Sequence, residues 1–327
     1  MQDKLTPRQS RAWGLCALSV PAAMALAGRG WLWVLTGSAA ASGIVLFLQT
    51  LQRRSGQSLP EQMARAFGQH GGQIVGAAVC LWLLLAASGA AAASQIAFED
   101  DLGPLAPAVP LLLAALASRK GQAAAARVSG VLALCLALYS IIALASLRHV
   151  QAAWCRPWGS AADAGLSLCL CLTPACLLFL DGPGQTPRPG WSALAAAVLP
   201  GAAALLCSAC LSPAWTAQLP QPLYTLTKSL SVLSVMQRFE LLLSTAQLLG
   251  LVSLLTLLVC AAARTAEVCL GTGWGEKKEG VFCLLAFGVS FLTQRLPIAV
   301  WVVGAATFWG VIPILTQVIG NIKKNEK

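Results

Sequence analysis

Long apolar runs, separated by short charged or proline-rich connections, dominate this chain of 327 residues. Hydrophobic residues make up 57% of it and charged residues 10%, whereas soluble domains carry about 25% charged residues. A helix that crosses a bilayer needs about 20 mostly apolar residues, because the hydrocarbon layer is roughly 30 Å thick. The sequence therefore predicts an all-α polytopic membrane protein with a single integral membrane domain over residues 1–327.

The spacing of the apolar runs predicts about ten transmembrane helices. Helices one to five are expected within residues 6–147, and helices six to ten within residues 160–322. A short amphipathic helix is expected at 61–69, ahead of the third span. An interfacial helix is expected at about 220–236, where threonine, serine and lysine alternate with leucine and valine, because such a helix keeps one polar face wet.

The distribution of basic residues predicts the orientation of the chain. With the N-terminus inside, 16 of the 22 Lys and Arg residues fall in cytoplasmic connections and the acidic cluster at 99–101 falls outside. The positive-inside rule therefore places both termini in the cytoplasm. The net charge of +10 is explained by this bias, so no nucleic-acid partner is expected.

Prolines interrupt two of the predicted spans, Pro21 in the first and Pro174 in the sixth. A proline removes a backbone donor and kinks or breaks a helix. Lipid does not satisfy the freed backbone groups, so they must face a cavity or a ligand. Interruptions at corresponding positions of two five-helix halves indicate a substrate site near the membrane midplane. The alternative is a plain kink, which membrane helices tolerate.

The residues around these interruptions form the predicted ligand site, with additions from the third and eighth spans. Small residues let a ligand approach the backbone, and the N-termini of half-helices favour a carboxylate. The alternative is that the serines only pack helices together. The predicted ligand-binding residues are Ser19, Val20, Pro21, Ala22, Ser88, Thr173, Pro174, Ala175, Ser244 and Gln247; Gly89 and Thr245 are further candidates.

Residues that would indicate catalysis or metal binding are sparse in this sequence. His70 and His149 lie in predicted loops, and carboxylates are missing from the middle of nearly every predicted span. Most of the 12 cysteines lie in apolar runs, where cysteine behaves as a small hydrophobe. The spacing of Cys169 and Cys171 does not match a structural zinc site. We therefore expect no enzymatic activity, no metal and no cofactor.

The stretch from Pro220 to Arg264 carries a resemblance to a known family. A proline-led segment with a central Lys228 is followed by Arg238-Phe239-Glu240, which opens a long apolar helix. This order resembles the late part of the spore germination permeases. Those proteins are the B subunits of GerA-type germinant receptors, within the amino acid/polyamine/organocation transporter superfamily. Further family-like phrases are Thr6-Pro7, Ser58–Glu61, Phe67–Gly72 and Ile312-Pro313.

The resemblance implies a LeuT-type five-plus-five inverted repeat in which helices 1 and 6 are broken. It implies a B subunit in the spore inner membrane that binds a small nutrient such as an amino acid. The implied partners are A-type and C-type receptor subunits and the lipid bilayer. Arg238 and Glu240 are then expected at the outer interface, with gating or partner contact as their alternative role.

This chain also departs from the family pattern. A glycine-rich break in span one is replaced by Ser19-Val-Pro-Ala22, and the break in span six reads Thr173-Pro-Ala-Cys176. An alanine run, Ala90–Ala93, stands where many members carry an arginine. These departures favour a sensor over an ion-coupled transporter. A secondary amino-acid transporter of the same superfamily, and an assembly subunit that binds nothing, remain the alternatives.

Overall fold

The structure is a computed structural model that describes residues 6–55, 57–132, 146–180, 191–229, 239–271 and 276–325, some helical positions by their backbone alone. Within these ranges the protein is all-helical, without a strand. The α-helices are α1 Pro7–Leu26, α2 Trp31–Ser55, α3 Leu59–Leu102, α4 Ala108–Arg119, α5 Gln122–Leu132, α6 Ala161–Cys171, α7 Leu177–Leu180, α8 Trp191–Leu211, α9 Pro213–Gln218, α10 Pro222–Ser229, α11 Phe239–Leu270, α12 Glu276–Thr293, α13 Ile298–Ala305 and α14 Ile312–Asn325. A 3₁₀ turn, Thr173–Cys176, joins α6 to α7, and a π-helical segment, Ala306–Val311, joins α13 to α14.

Five helical segments of the described chain are long and apolar enough to cross a membrane, and three shorter ones are also apolar. All eight coincide with predicted spans, which agrees with an all-α membrane protein. The number ten and the inverted repeat stay predictions, since most of the fifth predicted span lies outside the described residues and the ninth, in α12, is not among these eight segments. The segments are Trp31–Gln52, Leu59–Ser94, Ala161–Leu180, Ser244–Leu270 and Ile298–Gly320, with the shorter Ala12–Leu26, Gly103–Arg119 and Ala197–Leu211.

The first helix begins where the sequence predicts. The Thr6 hydroxyl accepts a hydrogen bond from the Gln9 N–H at 3.3 Å, and the Gln9 side chain accepts one from the Thr6 N–H at 3.0 Å. This reciprocal pair satisfies two backbone donors that a helix N-terminus leaves free. Pro7 occupies the first helical position, where its missing N–H has no consequence.

Pro21 does not break the first helix, which corrects the prediction of a broken helix 1. α1 runs from Pro7 to Leu26 without interruption. Pro21 still has no N–H to offer the carbonyl of Ala17, a loss that costs about 3 kcal/mol in a helix interior. Tertiary packing offsets that cost: Leu26 is fully buried, and the indole N–H of Trp13 donates to the carbonyl of Ser253 on α11 at 3.0 Å.

The sixth predicted span is interrupted, as expected from Pro174. α6 ends at Cys171, and the 3₁₀ turn leads into α7. The Thr173 hydroxyl donates to the carbonyl of Leu170 at 2.7 Å, and the Ala175 N–H donates to the carbonyl of Leu172 at 2.9 Å. The turn thus satisfies several of its own backbone groups, which leaves fewer of them for a ligand than the sequence alone indicates.

α3 changes direction near its beginning. Gly68 has a φ of +72°, in the left-handed region that glycine enters freely. A Cβ atom on Gly72 would lie 3.0 Å from the Cα of Ala64, although residues eight apart in a straight helix are about 12 Å apart. The first turns of α3 therefore fold back against the rest of it, which agrees with a separate short helix at 61–69.

Two sets of contacts define the ends of the helix bundle. At the first, which we call end A, the turn between α1 and α2 meets the start of α6: the Gly30 N–H donates to Asp163 Oδ2 at 3.3 Å. At the second, end B, the Gln52 side chain donates to the carbonyl of Leu178 at 2.8 Å. α2 and the interrupted α6–α7 helix therefore both run from end A to end B.

A salt bridge places two further helices at end B. Arg264 Nη2 lies 2.9 Å from Glu61 Oε1, so the start of α3 and the last turns of α11 meet there. Nearby, the Cys269 thiol donates to the carbonyl of Pro60 at 3.6 Å. α3 therefore runs from end B to end A, and α11 runs in the opposite direction.

Candidate ligand cavity

A cavity of about 550 Å³ lies between α1, α3, α6, α11, and α13 with the π-helical segment that follows it. Ligand pockets commonly occupy about 300–1,000 Å³, so the space is large enough for a small molecule. The lining residues are Ala17, Pro21, Ala22, Ala25, Trp82, Ala86, Gly89, Ala90, Ala92, Ala93, Leu166, Cys169, Leu170, Thr173, Leu251, Leu254, Leu258, Thr293, Gln294, Trp301, Ala305 and Trp309.

Small residues on α1 and α3 create much of this space. α1 contributes three alanines and Pro21, and between Ala86 and Ala93 α3 contributes alanines and Gly89. Residues three or four apart share one face of a helix, so these positions form a continuous surface without large side chains. A leucine at any of them would project into the cavity.

Tryptophan rings form the opposite wall. The centroid of Trp82 lies 6.0 Å from that of Trp301, with the planes at 55°, and 6.3 Å from that of Trp309, at 65°. Phe308 stacks on Trp82 at 5.3 Å, nearly parallel at 8°. Aromatic pairs favour centroid distances of about 4.5–7 Å in offset or tilted geometries. The rings therefore support one another as a rigid aromatic wall.

Two glycines let this wall pack closely. A Cβ atom on Gly304 would collide with the six-membered ring of Trp82, and one on Gly89 would lie 2.5 Å from Cη2 of Trp301. α3 and α13 thus pack reciprocally, since the tryptophan of each helix lies against a glycine of the other. Sequence reasoning missed this arrangement. The sequence does hold a signal for it. Trp82 and Gly89 are seven residues apart on α3, and Trp301 and Gly304 are three apart on α13, and both spacings place the pair on one helix face.

Among the described lining residues, none is charged. The Thr173 hydroxyl bonds to the Leu170 carbonyl, and the Thr293 hydroxyl donates to the carbonyl of Ser290 at 2.9 Å. The Trp82 indole N–H is buried and has no acceptor in the described part of the chain. The cavity therefore offers shape, apolar contact and aromatic rings rather than charge.

The cavity opens toward end A and ends near the middle of the bundle. Its exposed lining residues lie toward end A: Ala25 in the last turn of α1, Ala93 in the second half of α3, and Gln294 directly after α12. Ala17 and Trp309, each 2% exposed, lie deeper. Eight residues separate Ala17 from Ala25, which corresponds to a depth of about 12 Å at 1.5 Å per residue.

The predicted site residues are distributed unevenly around this cavity. Pro21, Ala22 and Thr173 line it, as does Gly89. The structure thus brings the two predicted interruption sites, one on α1 and one at the end of α6, to the same space. Pro174, partly buried, and Ala175, fully buried, are in the same turn as Thr173 but do not line the cavity.

Ser88 lies next to Gly89 in sequence but does not line the cavity. It is fully buried, and its hydroxyl donates to the carbonyl of Leu84 at 2.7 Å. Adjacent helical residues point about 100° apart, which is why Gly89 reaches the cavity and Ser88 packs against the protein. This position agrees with the packing role that was the alternative assignment of Ser88.

Ser244 and Gln247 lie on the face of α11 that leads to the cavity, but nearer end A. They precede the lining residues Leu251, Leu254 and Leu258 at intervals of three and four, which place all five on one helix face. The cavity begins one turn deeper than the sequence suggested, at leucines instead of polar residues.

Several predicted positions fall where the structure gives limited information. Ser19 and Val20 are in α1 and Glu240 is in α11, but their side chains lie outside the described part. Arg238 lies outside the described residues altogether. The interface or gating roles of Arg238 and Glu240 stay predictions.

Comparisons with known proteins add no family to these observations. No protein-family model matches the chain, and a search of the curated proteins finds no match. In the described part, no group of three or more His, Cys, Asp or Glu side chains could hold a metal ion.

Proposed function

We propose that this protein is the membrane-embedded B subunit of a spore nutrient-germinant receptor, which binds a small nutrient in the cavity and signals its presence to A-type and C-type partner subunits. One observation carries the proposal. Pro21 and Thr173, from the two spans that the sequence marks as interrupted, line one cavity of ligand size that opens at one end of the bundle. The resemblance of the sequence to the germination permeases supplies the biological role.

The cavity wall offers a route for the signal. Two irregular segments border the cavity, the 3₁₀ turn at Thr173 and the π-helical segment that contains Trp309. Departures from the α-helical hydrogen-bond pattern mark places where helices bend or rearrange. A nutrient that contacts these segments differently in two conformations shifts the population toward one of them, and the partner subunits respond to that shift.

The same proposal includes an orientation. End B carries Arg65 and Arg264, in keeping with the positive-inside rule, so we assign end B to the cytoplasm together with both termini. The cavity then opens toward the exterior of the membrane that holds it, the cell membrane or the spore inner membrane. A nutrient reaches the cavity from that side without crossing the bilayer.

A nutrient screen by thermal shift tests the proposal on the full chain in detergent. A ligand that binds only the folded protein stabilises it by about 2.7 kcal/mol at 100 times its dissociation constant, so a nutrient that binds raises the melting temperature. Ala90→Leu fills the cavity and removes that rise. Ala77→Leu is the matched control, since Ala77 is an exposed alanine of the same helix away from the cavity.

Two results would contradict nutrient binding in this cavity. If Ala90→Leu retains the full shift, the nutrient binds elsewhere. If amino acids, sugars and nucleosides all leave the melting temperature unchanged, the chain is an assembly subunit. Thr173→Val gives a second readout at the 3₁₀ turn and is expected to weaken the shift, because it removes the hydroxyl that bonds to Leu170.

The alternative function is a secondary amino-acid transporter, and the one-sided cavity favours it as the second candidate. A space open at end A, with Gln52 bonded to Leu178 and Arg264 to Glu61 at end B, matches one state of an alternating-access cycle. Uptake into proteoliposomes under a proton or sodium gradient distinguishes the two functions. Saturable binding without uptake supports the receptor, and gradient-driven accumulation supports the transporter.

A further inference from the structure

We infer that the cavity selects a ligand with an uncharged aromatic ring, which enters first and rests against the tryptophan wall, while its polar or charged end stays at the end-A opening. This inference rests on the proposed function, since it specifies which class of small molecule the cavity binds. Three properties of the lining carry it: the rings, the distribution of polar groups and the shape of the facing wall.

The rings come first. Trp82, Trp301 and Trp309 all line the cavity, and Trp82 is inclined at 55° and 65° to its two neighbours. Phe308 covers one face of Trp82 and the edge of Phe179 contacts Trp309 at a centroid distance of 6.1 Å. Phe308 and Phe179 therefore hold the indole rings of Trp82 and Trp309 in place. Trp82 and Trp309 are 5% and 2% exposed and Trp301 is partly buried, so the wall offers a limited ring surface in fixed directions, to which another ring fits in offset or edge-to-face geometry.

The polar groups point to the same orientation of the ligand. No charged side chain belongs to the described lining, and the hydroxyls of Thr173 and Thr293 already donate to backbone carbonyls. A charged group carried to the inner end would be buried without a partner, which is strongly unfavourable. Gln294 lies exposed at the opening, with the exposed Arg295 next to it, so the charged end of a ligand remains there.

The shape of the facing wall separates an aromatic from an aliphatic ligand. On α1, Ala17, Ala22 and Ala25 present small side chains around Pro21, which make a shallow surface opposite the rings. An aliphatic chain gains apolar contact on both sides. A flat ring gains that contact and also the matched charge distribution of paired aromatic rings. The cavity therefore discriminates in favour of the ring.

Equilibrium binding to the full chain in lipid nanodiscs tests this inference, with probes that share one polar end and differ in side chain. L-Phenylalanine and L-tryptophan are expected to bind at least about tenfold more tightly than L-alanine, because a buried ring adds apolar area worth more than 1.4 kcal/mol, the equivalent of a factor of ten. L-Aspartate and L-lysine are expected to bind more weakly than L-alanine. Indole is expected to compete with L-phenylalanine, since it carries the ring alone.

Variants of the wall identify the rings as the cause. Trp82→Leu is expected to lower the ratio of phenylalanine to alanine affinity by about two- to tenfold, the contribution of a ring pair beyond its buried area, whereas Trp82→Phe retains most of the ratio, since the indole N–H has no acceptor in the described part of the chain. Trp33→Leu is the control, because Trp33 is exposed and does not line the cavity. The readout is a ratio of affinities, so a variant that folds in lower yield still reports correctly.

The outcomes separate this inference from the proposed function. If L-alanine binds as tightly as L-phenylalanine and Ala90→Leu abolishes both, the cavity is a nutrient site but does not select rings, and the inference alone fails. A phenylalanine preference that Trp82→Leu leaves undiminished also overturns it. If none of these probes binds, the inference fails, and the proposed function fails with it only when the sugars and nucleosides of the thermal-shift screen also leave the melting temperature unchanged.

Discussion

Different kinds of contact hold the helices together at the two ends of the bundle. At end A, Asp163 is 7% exposed and accepts hydrogen bonds from the N–H groups of Gly30 and Ser160 at 3.3 and 3.2 Å, with Arg29 Nη1 at 3.5 Å from its other oxygen. One buried carboxylate thus joins the turn between α1 and α2 to the start of α6.

End B also has a buried contact, between Gln52 and the carbonyl of Leu178, but its ion pairs lie where solvent reaches them. Arg264 contacts Glu61 at 2.9 Å and Glu267 at 3.2 Å, and the three side chains are 25%, 30% and 52% exposed. Exposed ion pairs contribute about 0–1 kcal/mol each. The cavity opens at the end where a buried carboxylate joins the helices, while the ion pairs at the closed end are exposed and screened by solvent.

The largest expected effect comes from Asp163→Ala. This change leaves two backbone N–H groups and a guanidinium without their acceptor, so we expect a loss of about 3 kcal/mol in the free energy of unfolding. Titration with a denaturing detergent, followed by circular dichroism, measures it. Glu61→Ala, the equivalent change at end B, is expected to lose about 1 kcal/mol or less. Equal losses at both ends would remove the distinction drawn between them.

Gly30→Ala tests the close backbone contact at end A. A Cβ atom there would collide with the carbonyl oxygen of Trp158, and it would lie 2.9 Å from the Cα of Gly159. Forced overpacking costs about 1–3 kcal/mol, so a drop in melting temperature is expected.

Gly43→Ala is the matched control for that substitution. Gly43 lies within the second helix, which begins directly after Gly30, and a Cβ atom there meets nothing within 4 Å. Alanine is favoured over glycine in a helix by about 0.5–1 kcal/mol, so the control is expected to match or exceed the parent chain in melting temperature. If Gly30→Ala behaves in the same way, the turn moves freely and end A is not rigid.

The smallest expected effect is that of Glu61→Gln, which keeps the size of the side chain and removes its charge. We expect a loss of up to about 1 kcal/mol in 0.1 M salt and a smaller one in 1 M salt, where the screening length falls to about 3 Å. Melting temperatures in the two buffers measure the difference. A large loss that salt does not change would show that this ion pair is shielded from solvent.

Local signals in the sequence predicted the helix starts well. Thr6 and Pro7 open α1 as expected, and at the start of α3 the Glu61 side chain accepts the N–H of Ser58 at 3.1 Å. Such caps depend on residues within one turn of each other. The apolar lengths of the spans were equally readable, since bilayer thickness sets them.

The prolines show where local reasoning stops. Pro21 and Pro174 give the same signal in sequence, yet α1 continues through the first and a 3₁₀ turn forms at the second. The difference comes from tertiary and local contacts around each proline, which the sequence alone does not reveal. The Trp13 indole ties α1 to a distant carbonyl of α11, and beside Pro174 the Thr173 hydroxyl bonds to a carbonyl three residues back.

The candidate site was predictable in position but not in character. Pro21, Ala22 and Thr173 line the cavity, so the two prolines marked helices that border it, although only the helix of Pro174 is interrupted. The aromatic wall was missed, since each glycine accommodates a tryptophan more than 200 positions away. Pairings at that separation have no local pattern to reveal them.

In the π-helical segment Ala306–Val311, the number of residues determines how the helix that follows is rotated. A π turn accommodates an extra residue compared with an α turn, and one residue corresponds to about 100° of rotation. Deleting a single residue there would rotate Trp309 and all that follows relative to α13. A one-residue deletion would thus reshape the interior more than most point substitutions, and a lineage that keeps this cavity must also keep the number of residues in its last span.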